Sequence, residues 1–108
     1  MKIAICDDEK LYIDTISSYL NKISKEHNKK CDIITCQRGD VLVELCGKEV
    51  LDAVFLDISM PGINGFETAE KLIKIRKNLV VVFVSSKESM VFSSYEYRPF
   101  WFVPKSQI

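Results

Sequence analysis

Residues 3–8 of the chain read IAICDD, a short apolar run that ends on two acidic residues, Asp7 and Asp8. A second apolar run, AVFLD at residues 53–57, ends on a third acidic residue, Asp57. If the two runs are neighbouring strands, the three carboxylates converge at one end of a sheet. Like charges that lie so close together bind a cation, shift their pKa values or take part in chemistry. The two runs therefore predict the centre of the fold and a functional site beside it.

Strand-like and helix-like segments alternate through the rest of the chain. Short apolar runs predict strands at Lys2–Cys6, Cys31–Cys36, Asp52–Leu56, Leu79–Val84 and Phe100–Val103. Apolar residues at three- and four-residue steps predict helices between them, over about 11–25, 41–46, 66–76 and 87–94, the last of them weak. Asp8 is a candidate N-cap of the first helix. Asn64, with Glu67 three residues on, is a candidate N-cap of the third.

This alternation predicts an α/β fold, in which a doubly wound, five-stranded parallel sheet carries helices on both faces. Right-handed crossovers place the carboxyl ends of all parallel strands at one edge, and such sheets bind their ligands there. Five polar residues follow predicted strands at this edge: Asp7, Asp8, Asp57, Ser85 and Lys105. We therefore expect these side chains to meet.

The expected cluster suits metal-assisted phosphoryl transfer. Carboxylates at one place favour Mg²⁺, which prefers six oxygen ligands and keeps several waters. Lys105 offers a positive charge and Ser85 a hydroxyl for phosphoryl oxygens. We expect Asp57 to be ionised at neutral pH and to accept the phosphoryl group without a general base. Taken singly, each residue has an ordinary alternative: a helix cap for Asp7 and Asp8, a turn for Asp57, a surface position for Lys105.

Bulk composition argues against several other classes of function. Of the 108 residues 47% are apolar and 28% are charged, and the formal net charge is zero, so no basic surface for nucleic acid or anionic membrane is expected. No apolar segment is long enough to span a bilayer, and the N-terminal apolar run is too short for a signal peptide, so we expect a cytoplasmic protein. The four cysteines form no Cys-x-x-Cys pair and are expected to be reduced, buried or half-buried thiols.

Together these motifs resemble the receiver domain of bacterial two-component response regulators. The matching segments span essentially the whole chain: residues 5–9 (ICDDE), 55–67 (FLDISMPGINGFE), 84–86 (VSS) and 102–105 (FVPK). The resemblance implies the flavodoxin-like strand order 2-1-3-4-5. It also implies a sensor histidine kinase as partner, whose phosphohistidine supplies the phosphoryl group.

The resemblance assigns a role to each residue of the expected site. Asp57 would be the phosphoacceptor, and Lys105 would pair with the phosphoryl group. Ser85 would be the switch hydroxyl and Phe102 the switch aromatic, whose movement changes the surface that a partner reads. The Mg²⁺ ligands would be Asp7 (through water), Asp8, Asp57 and the backbone carbonyl of Ser59.

Two features depart from the family pattern. Receivers usually carry a proline directly after the lysine, whereas here Pro104 precedes Lys105 and Ser106 follows it. Receivers also continue with a fifth helix, and the sequence stops at Ile108. We therefore expect residues 1–108 to be a receiver domain truncated before its final helix and without its output domain, so that DNA would be bound only through that missing domain.

The uncovered sheet face left by such a truncation predicts self-association. Six of the eleven aromatic residues lie between Phe92 and Phe102, close to that face, although burial in the core is the simpler expectation for most of them. The segments VSS, residues 84–86, and YRPFWF, residues 97–102, further resemble receivers from regulators with a LytTR-type DNA-binding domain.

Two other functions fit part of the pattern. A Mg²⁺-dependent phosphohydrolase on a similar fold would also use a nucleophilic aspartate. Such enzymes usually place a second acid two residues after the nucleophile, where this chain has Ser59. A degenerate receiver that binds partners without phosphorylation would lack one of the acids or the lysine, and all are present. The favoured interpretation is a phosphorylation switch and not an enzyme.

Overall fold

A computed structural model describes all residues from 1 to 108. Five strands alternate with four helices along the chain. The strands are β1 Lys2–Cys6, β2 Asp32–Cys36, β3 Ala53–Asp57, β4 Val80–Ser85 and β5 Trp101–Pro104. The helices are α1 Lys10–Glu26, α2 Gly39–Lys48, α3 Gly65–Ile75 and α4 Val91–Ser94, with short 3₁₀ turns at Glu88–Met90, Tyr95–Tyr97 and Lys105–Gln107.

All strands run parallel in one sheet of order β2-β1-β3-β4-β5. Ile3 pairs with Ala53 and Cys6 with Leu56, so the two runs that end on aspartates are neighbours. The strand order reverses between β1 and β3, the point at which doubly wound sheets bind ligands. The predicted fold class and strand order are confirmed.

Helices cover both faces of the sheet and bury two apolar clusters. The larger cluster has 13 buried residues and lies under α2 and α3, with Phe83 and Leu72 among its fully buried side chains. The smaller cluster lies under α1 and consists of Ile5, Ile13, Ile16 and Val84. Because apolar side chains leave β1, β3 and β4 on both faces, these strands occupy the centre, while the more polar β2 lies at an edge.

The helix starts agree with the prediction for α3 and differ for α1. The Asn64 side chain accepts a hydrogen bond from the Glu67 amide at 2.9 Å and caps α3. The N-cap of α1 is Glu9, and Asp8 is exposed and makes no capping bond, so the predicted role of Asp8 as cap is wrong. Asp7 holds the turn instead, since its Oδ1 accepts a hydrogen bond from the Glu9 amide at 2.9 Å.

The fourth helix is shorter than predicted. Only Val91–Ser94 is α-helical, and 3₁₀ turns on either side carry a helical path from Glu88 to Tyr97. Serines, valine and aromatics favour helix weakly. The path ends at Arg98, which has a φ of 47°, because a residue before proline disfavours the α conformation.

Beside α1 the sheet carries an open apolar groove of about 200 Å³. All side chains that line it are apolar: Ile16, Tyr19, Leu20, Ile23, Phe55, Val84, Val103 and Ile108. Four aromatic residues of the 92–102 segment are exposed, namely Phe92, Tyr95, Phe100 and Trp101. The expectation that most of these aromatics belong to the core is therefore wrong, because a one-turn helix and an edge strand provide too little cover.

None of the helices has both the length and the apolar character that crossing a membrane requires. All four cysteines are free thiols, as predicted. Cys6 and Cys46 are buried, and Cys31 and Cys36 are half-buried.

Candidate functional site

The three aspartates meet at the switch point between β1 and β3. One carboxylate oxygen from each of Asp7, Asp8 and Asp57 lies within 4.8 Å of the others. Asp7 and Asp57 are 1% and 3% exposed, whereas Asp8 faces solvent. The pairing of β1 with β3 therefore places two buried carboxylates and one accessible carboxylate around a common point.

Lys105 closes the site from the side of β5. It follows Pro104, which pairs with Ser85 at the end of β4. The Lys105 Nζ lies 3.0 Å from Asp7 Oδ2 and 3.4 Å from Asp57 Oδ2, and the residue is only 5% exposed. Because a buried ammonium needs anionic partners, these ion pairs hold Lys105 at the site although the proline precedes it.

Asp57 is harder to ionise than an ordinary aspartate. Burial, followed by the negative charge of Asp7, raises the pKa of Asp57 to about 7, although Lys105 acts in the opposite direction. The expectation that Asp57 is already ionised at neutral pH is therefore met only in part, since a carboxyl group with a pKa of about 7 is about half ionised there. The sequence could not show this, because desolvation depends on how tightly the folded chain closes around the carboxyl group.

Lys105 behaves as a fixed positive charge. Burial lowers its pKa, but the hydrogen bond to Asp7 and the charges of Asp57, Asp7 and Glu9 outweigh burial, so the pKa of Lys105 is raised. Lys105 therefore stays protonated at neutral pH and neutralises charge without releasing a proton.

The oxygen atoms of the site fit a divalent cation. Lys105 donates a hydrogen bond to Asp7 Oδ1 at 3.3 Å. Asp7 Oδ2 is buried without a hydrogen-bond partner, since its 3.0 Å approach to Lys105 Nζ is an ion pair that lacks hydrogen-bond alignment. A carboxylate oxygen with free lone pairs, next to two further carboxylates, is the hard ligand that Mg²⁺ prefers. A cation would also reduce the repulsion among the aspartates.

The loop from β3 to α3 forms one wall of the site. The Gly65 amide donates to the Ile58 carbonyl at 2.8 Å, and a methyl group at Gly65 would overlap the backbone carbonyl of Asp57. Glycine is therefore required for the loop to close against the acceptor strand. A cavity of about 510 Å³ opens over this loop, and both Asp8 and Ser59 line it. Ser59 thus lies beside the acidic cluster, and the role of its carbonyl as a metal ligand stays a prediction.

Ser85 and Phe102 occupy positions compatible with the predicted switch. Ser85 follows Val84, which pairs with Asp57, and it is fully buried. Its hydroxyl accepts a hydrogen bond from the Lys87 amide at 3.0 Å. Phe102 on β5 is half-buried against the larger apolar cluster. Their switching roles stay predictions.

The structure adds two neighbours of Lys105 to the predicted residues. Its Nζ lies 4.2 Å from the centroid of the Tyr12 ring and 3.9 Å from Glu9 Oε2. The sequence did not predict the contact of Tyr12 with Lys105, because helical spacing alone assigns Tyr12 to the apolar face of α1. Its place in the first turn of the helix after β1 is the one available signal, because that turn lies next to the carboxyl end of the strand.

Comparison with known proteins identifies the family. A family model described as "Response regulator receiver domain" matches residues 3–107. "Sensory transduction protein LytT" from Oceanobacillus iheyensis is 32% identical over 99 residues, which are 87% of this chain and 37% of that protein. A protein of the same name from Bacillus anthracis is 33% identical over 99 residues, with 89% and 37% covered. The chain therefore spans little more than a third of the length of these relatives.

Solved structures share the fold. Response regulator protein TrrA from Thermotoga maritima, in complex with Mg²⁺-BeF, has a TM-score of 0.83 at 23% identity, over 96% of this chain and 85% of that one. The N-terminal domain of a response regulator/sensory box/GGDEF protein from Carboxydothermus hydrogenoformans has a TM-score of 0.81 at 27% identity, over 98% and 82%. The predicted resemblance is confirmed: the chain belongs to the response regulator receiver domain family.

Proposed function

We propose that this receiver domain accepts a phosphoryl group on Asp57 from the phosphohistidine of a sensor histidine kinase. The observation that carries the proposal is the buried ion pair of Asp57 and Lys105, whose Oδ2 and Nζ atoms are 3.4 Å apart. Asp7 lies beside this pair. A carboxylate nucleophile next to a fixed cation at a preorganised site has the components that phosphoryl transfer requires. The accessible Asp8 and the cavity beside it leave an approach for the donor.

The proposed step forms one bond and breaks one. An oxygen of Asp57 attacks phosphorus, an O–P bond forms, and the N–P bond breaks with its electron pair returning to the kinase histidine. Lys105 balances the negative charge of a phosphoryl oxygen. Asp7, Asp8, Asp57 and the Ser59 carbonyl would hold Mg²⁺, which when bound supplies positive charge for both the carboxylates and the phosphoryl group.

Ser85 and Phe102 would carry the signal outward. A phosphoryl group on Asp57 brings new acceptor oxygens, to which the buried Ser85 hydroxyl can donate a hydrogen bond. A turn of the Ser85 side chain toward these oxygens would release the Lys87 amide, which donates to Ser85 Oγ at 3.0 Å in the present structure. Phe102 would follow inward and change the surface of α4 and β5 that a partner contacts.

We further propose that the domain acts as a switch and not as a hydrolase. Ser59 stands two residues after Asp57, where a phosphohydrolase on a similar fold would need a second acid. The proposed setting is a cytoplasmic two-component regulator. Its DNA contacts would be made by an output domain of LytTR type outside residues 1–108, as the resemblance to LytT proteins supports.

Self-association also remains a proposal. Two features support self-association. One is the open apolar groove beside α1. The other is the exposed Trp101 on β5, which pairs with Val82 in the sheet and so lies on the same sheet face as the groove residue Val84. A second copy of the chain is the occupant that we propose for this face, because burying an entirely apolar lining is favourable.

Acetyl phosphate with Mg²⁺ tests the phosphoacceptor directly. We expect intact mass spectrometry to show one Mg²⁺-dependent phosphate adduct on the wild-type chain and on Asp14→Asn, a matched control for an exposed carboxylate on α1. Asp57→Asn should show none. An adduct that persists in Asp57→Asn, or that forms equally well with a chelator, would contradict the proposal.

A further inference from the structure

The ammonium group of Lys105 has a neighbour that is not a carboxylate. The face of the Tyr12 ring lies with its centroid 4.2 Å from Lys105 Nζ, well inside the range of a cation–π interaction. Asp7, Asp57 and Glu9 surround the same nitrogen at 3.0, 3.4 and 3.9 Å. The lysine head is thus enclosed by three carboxyl groups and one aromatic face.

The backbone of Tyr12 is fixed at the start of α1. It lies in the first turn of α1, where its amide donates to the Glu9 carbonyl at 3.1 Å. The Tyr12 hydroxyl makes no hydrogen bond within the chain, so the ring and not the phenol supplies the contact with Lys105. The ring comes from α1 and the ammonium from the turn after β5, so the contact joins the two ends of the chain.

Lys105 needs such a support. Its side chain is a flexible stem of four carbons. Its backbone lies in a short 3₁₀ turn, Lys105–Gln107. In this turn the Ser106 hydroxyl donates a hydrogen bond to the Glu88 side chain at 2.8 Å. The carboxylates attract the ammonium from several directions, and an aromatic face restricts it without adding a further negative charge that would repel a phosphoryl group.

We propose that Tyr12 is a positioning residue that holds the Lys105 ammonium against Asp57 through its ring face. The inference deepens the proposed function, because Lys105 would contact the phosphoryl oxygens. Loss of the ring would let the ammonium leave the acceptor for solvent or for Glu9, and the transition state would then lose part of its charge neutralisation.

A spectroscopic test does not depend on phosphorylation. A methylene group beside an aromatic face has proton resonances shifted upfield, so the ε-protons of Lys105, assigned by their loss in Lys105→Arg, should be upfield in the wild type and in Tyr12→Phe. In Tyr12→Leu they should return to the ordinary lysine position. An unchanged shift in Tyr12→Leu would overturn the inference.

A kinetic test measures the consequence. With acetyl phosphate and Mg²⁺, the maximal phosphorylation rate of Tyr12→Leu should fall about three- to tenfold at an unchanged half-saturating donor concentration, and Tyr12→Phe should retain the wild-type rate. Leu11→Ala, a change at an exposed residue of α1 outside the groove, should leave the rate unchanged. In a Lys105→Ala background, Tyr12→Leu should have no further effect.

The two tests separate failure of the inference from failure of the function. A Tyr12→Leu rate equal to wild type, or a Tyr12→Phe rate as low as that of Tyr12→Leu, would overturn the positioning role. If the wild-type chain takes no phosphoryl group at all, the proposed function fails, and the lysine resonances alone decide whether Tyr12 holds Lys105.

Discussion

At the scale of single residues, the site is defined by an excess of negative charge around Asp57. Two buried carboxylates, Asp7 and Asp57, share one ammonium group, that of Lys105. Asp8 and Glu9 add negative charge at the rim. A proton on Asp57 relieves the repulsion in the metal-free protein, and a divalent cation would relieve it without removing the nucleophile. The same charge balance thus links stability, metal binding and reactivity.

We expect the metal-free domain to lose stability through Asp57 as the pH rises. The folded pKa of Asp57, about 7, lies above its value in the unfolded chain. Between the two pKa values the folded state holds the extra proton, so the free energy of unfolding falls as pH rises from about 4 to about 7. Asp57→Asn should remove this loss. At about pH 8, its free energy of unfolding, measured in urea, should exceed that of the wild type by about 1–3 kcal/mol.

The effect of Mg²⁺ on the free energy of unfolding is a second test of the pKa of Asp57. Mg²⁺ should stabilise the wild type more at about pH 8 than at about pH 5, because the ion competes with the proton for Asp57. Asp14→Asn should follow the wild type throughout. Identical pH dependence of the unfolding free energy in the wild type and Asp57→Asn would contradict the assigned pKa.

At the scale of secondary-structure elements, α2 and α3 pack unusually closely where α2 begins. A methyl group at Gly39 would overlap Thr68 Oγ1 and lie 3.0 Å from the Ile63 side chain. Thr68 cannot easily turn away, because its hydroxyl donates to the Asn64 carbonyl at 2.8 Å. Asn64 caps α3 and ends the loop from β3 to α3. The contact between Gly39 and Thr68 therefore also holds this loop, which forms one wall of the site.

Two glycine substitutions in α2 test this contact. Gly39→Ala should destabilise the domain by about 1–3 kcal/mol through overpacking. Gly47→Ala, with no atom within 4 Å of the added methyl group, should stabilise it by about 0.5–1 kcal/mol through helix propensity. Both changes are measured by denaturant unfolding. Equal effects of the two substitutions would show that close packing at Gly39 does not matter.

At the scale of the whole molecule, the two faces of the sheet are unequally covered. The larger cluster under α2 and α3 is closed, whereas the groove beside α1 remains open and apolar. Groove residues Tyr19 and Ile23 are exposed on α1, and Trp101 is exposed on β5. Such a surface gains free energy when a second surface covers it.

We expect the chain to self-associate through this groove. Sedimentation velocity should show the weight-average mass rising with concentration for the wild type. Ile23→Lys, which puts a charge in the groove, should weaken association about tenfold or more, since a buried unpaired ammonium is costly. Leu11→Lys replaces an exposed apolar residue of the same helix outside the groove and should behave as wild type. A monomer at all concentrations would contradict this expectation.

Much of the fold was predictable because it depends on local patterns. Apolar runs such as residues 3–6 and 79–84 specify buried parallel strands, and Asn64 with Glu67 specifies the start of α3. Strand bounds differ from the prediction by about a residue, because neighbouring pairing decides where a strand ends. The fourth helix is weak as predicted, although only Val91–Ser94 of it is α-helical. The cap of α1 was mispredicted, because Asp7 accepts a hydrogen bond from the Glu9 amide and the helix begins only after Glu9.

By itself, the sequence determined the alternation of strands and helices and the placing of acidic residues and Lys105 at strand ends, because these follow from residue type and spacing. Only the tertiary structure decided the distances among them, the pKa of Asp57 near 7 and the contact of Tyr12 with Lys105. Desolvation and cation–π contact depend on which groups the fold brings together from distant parts of the chain. Neither property can be read from one segment alone.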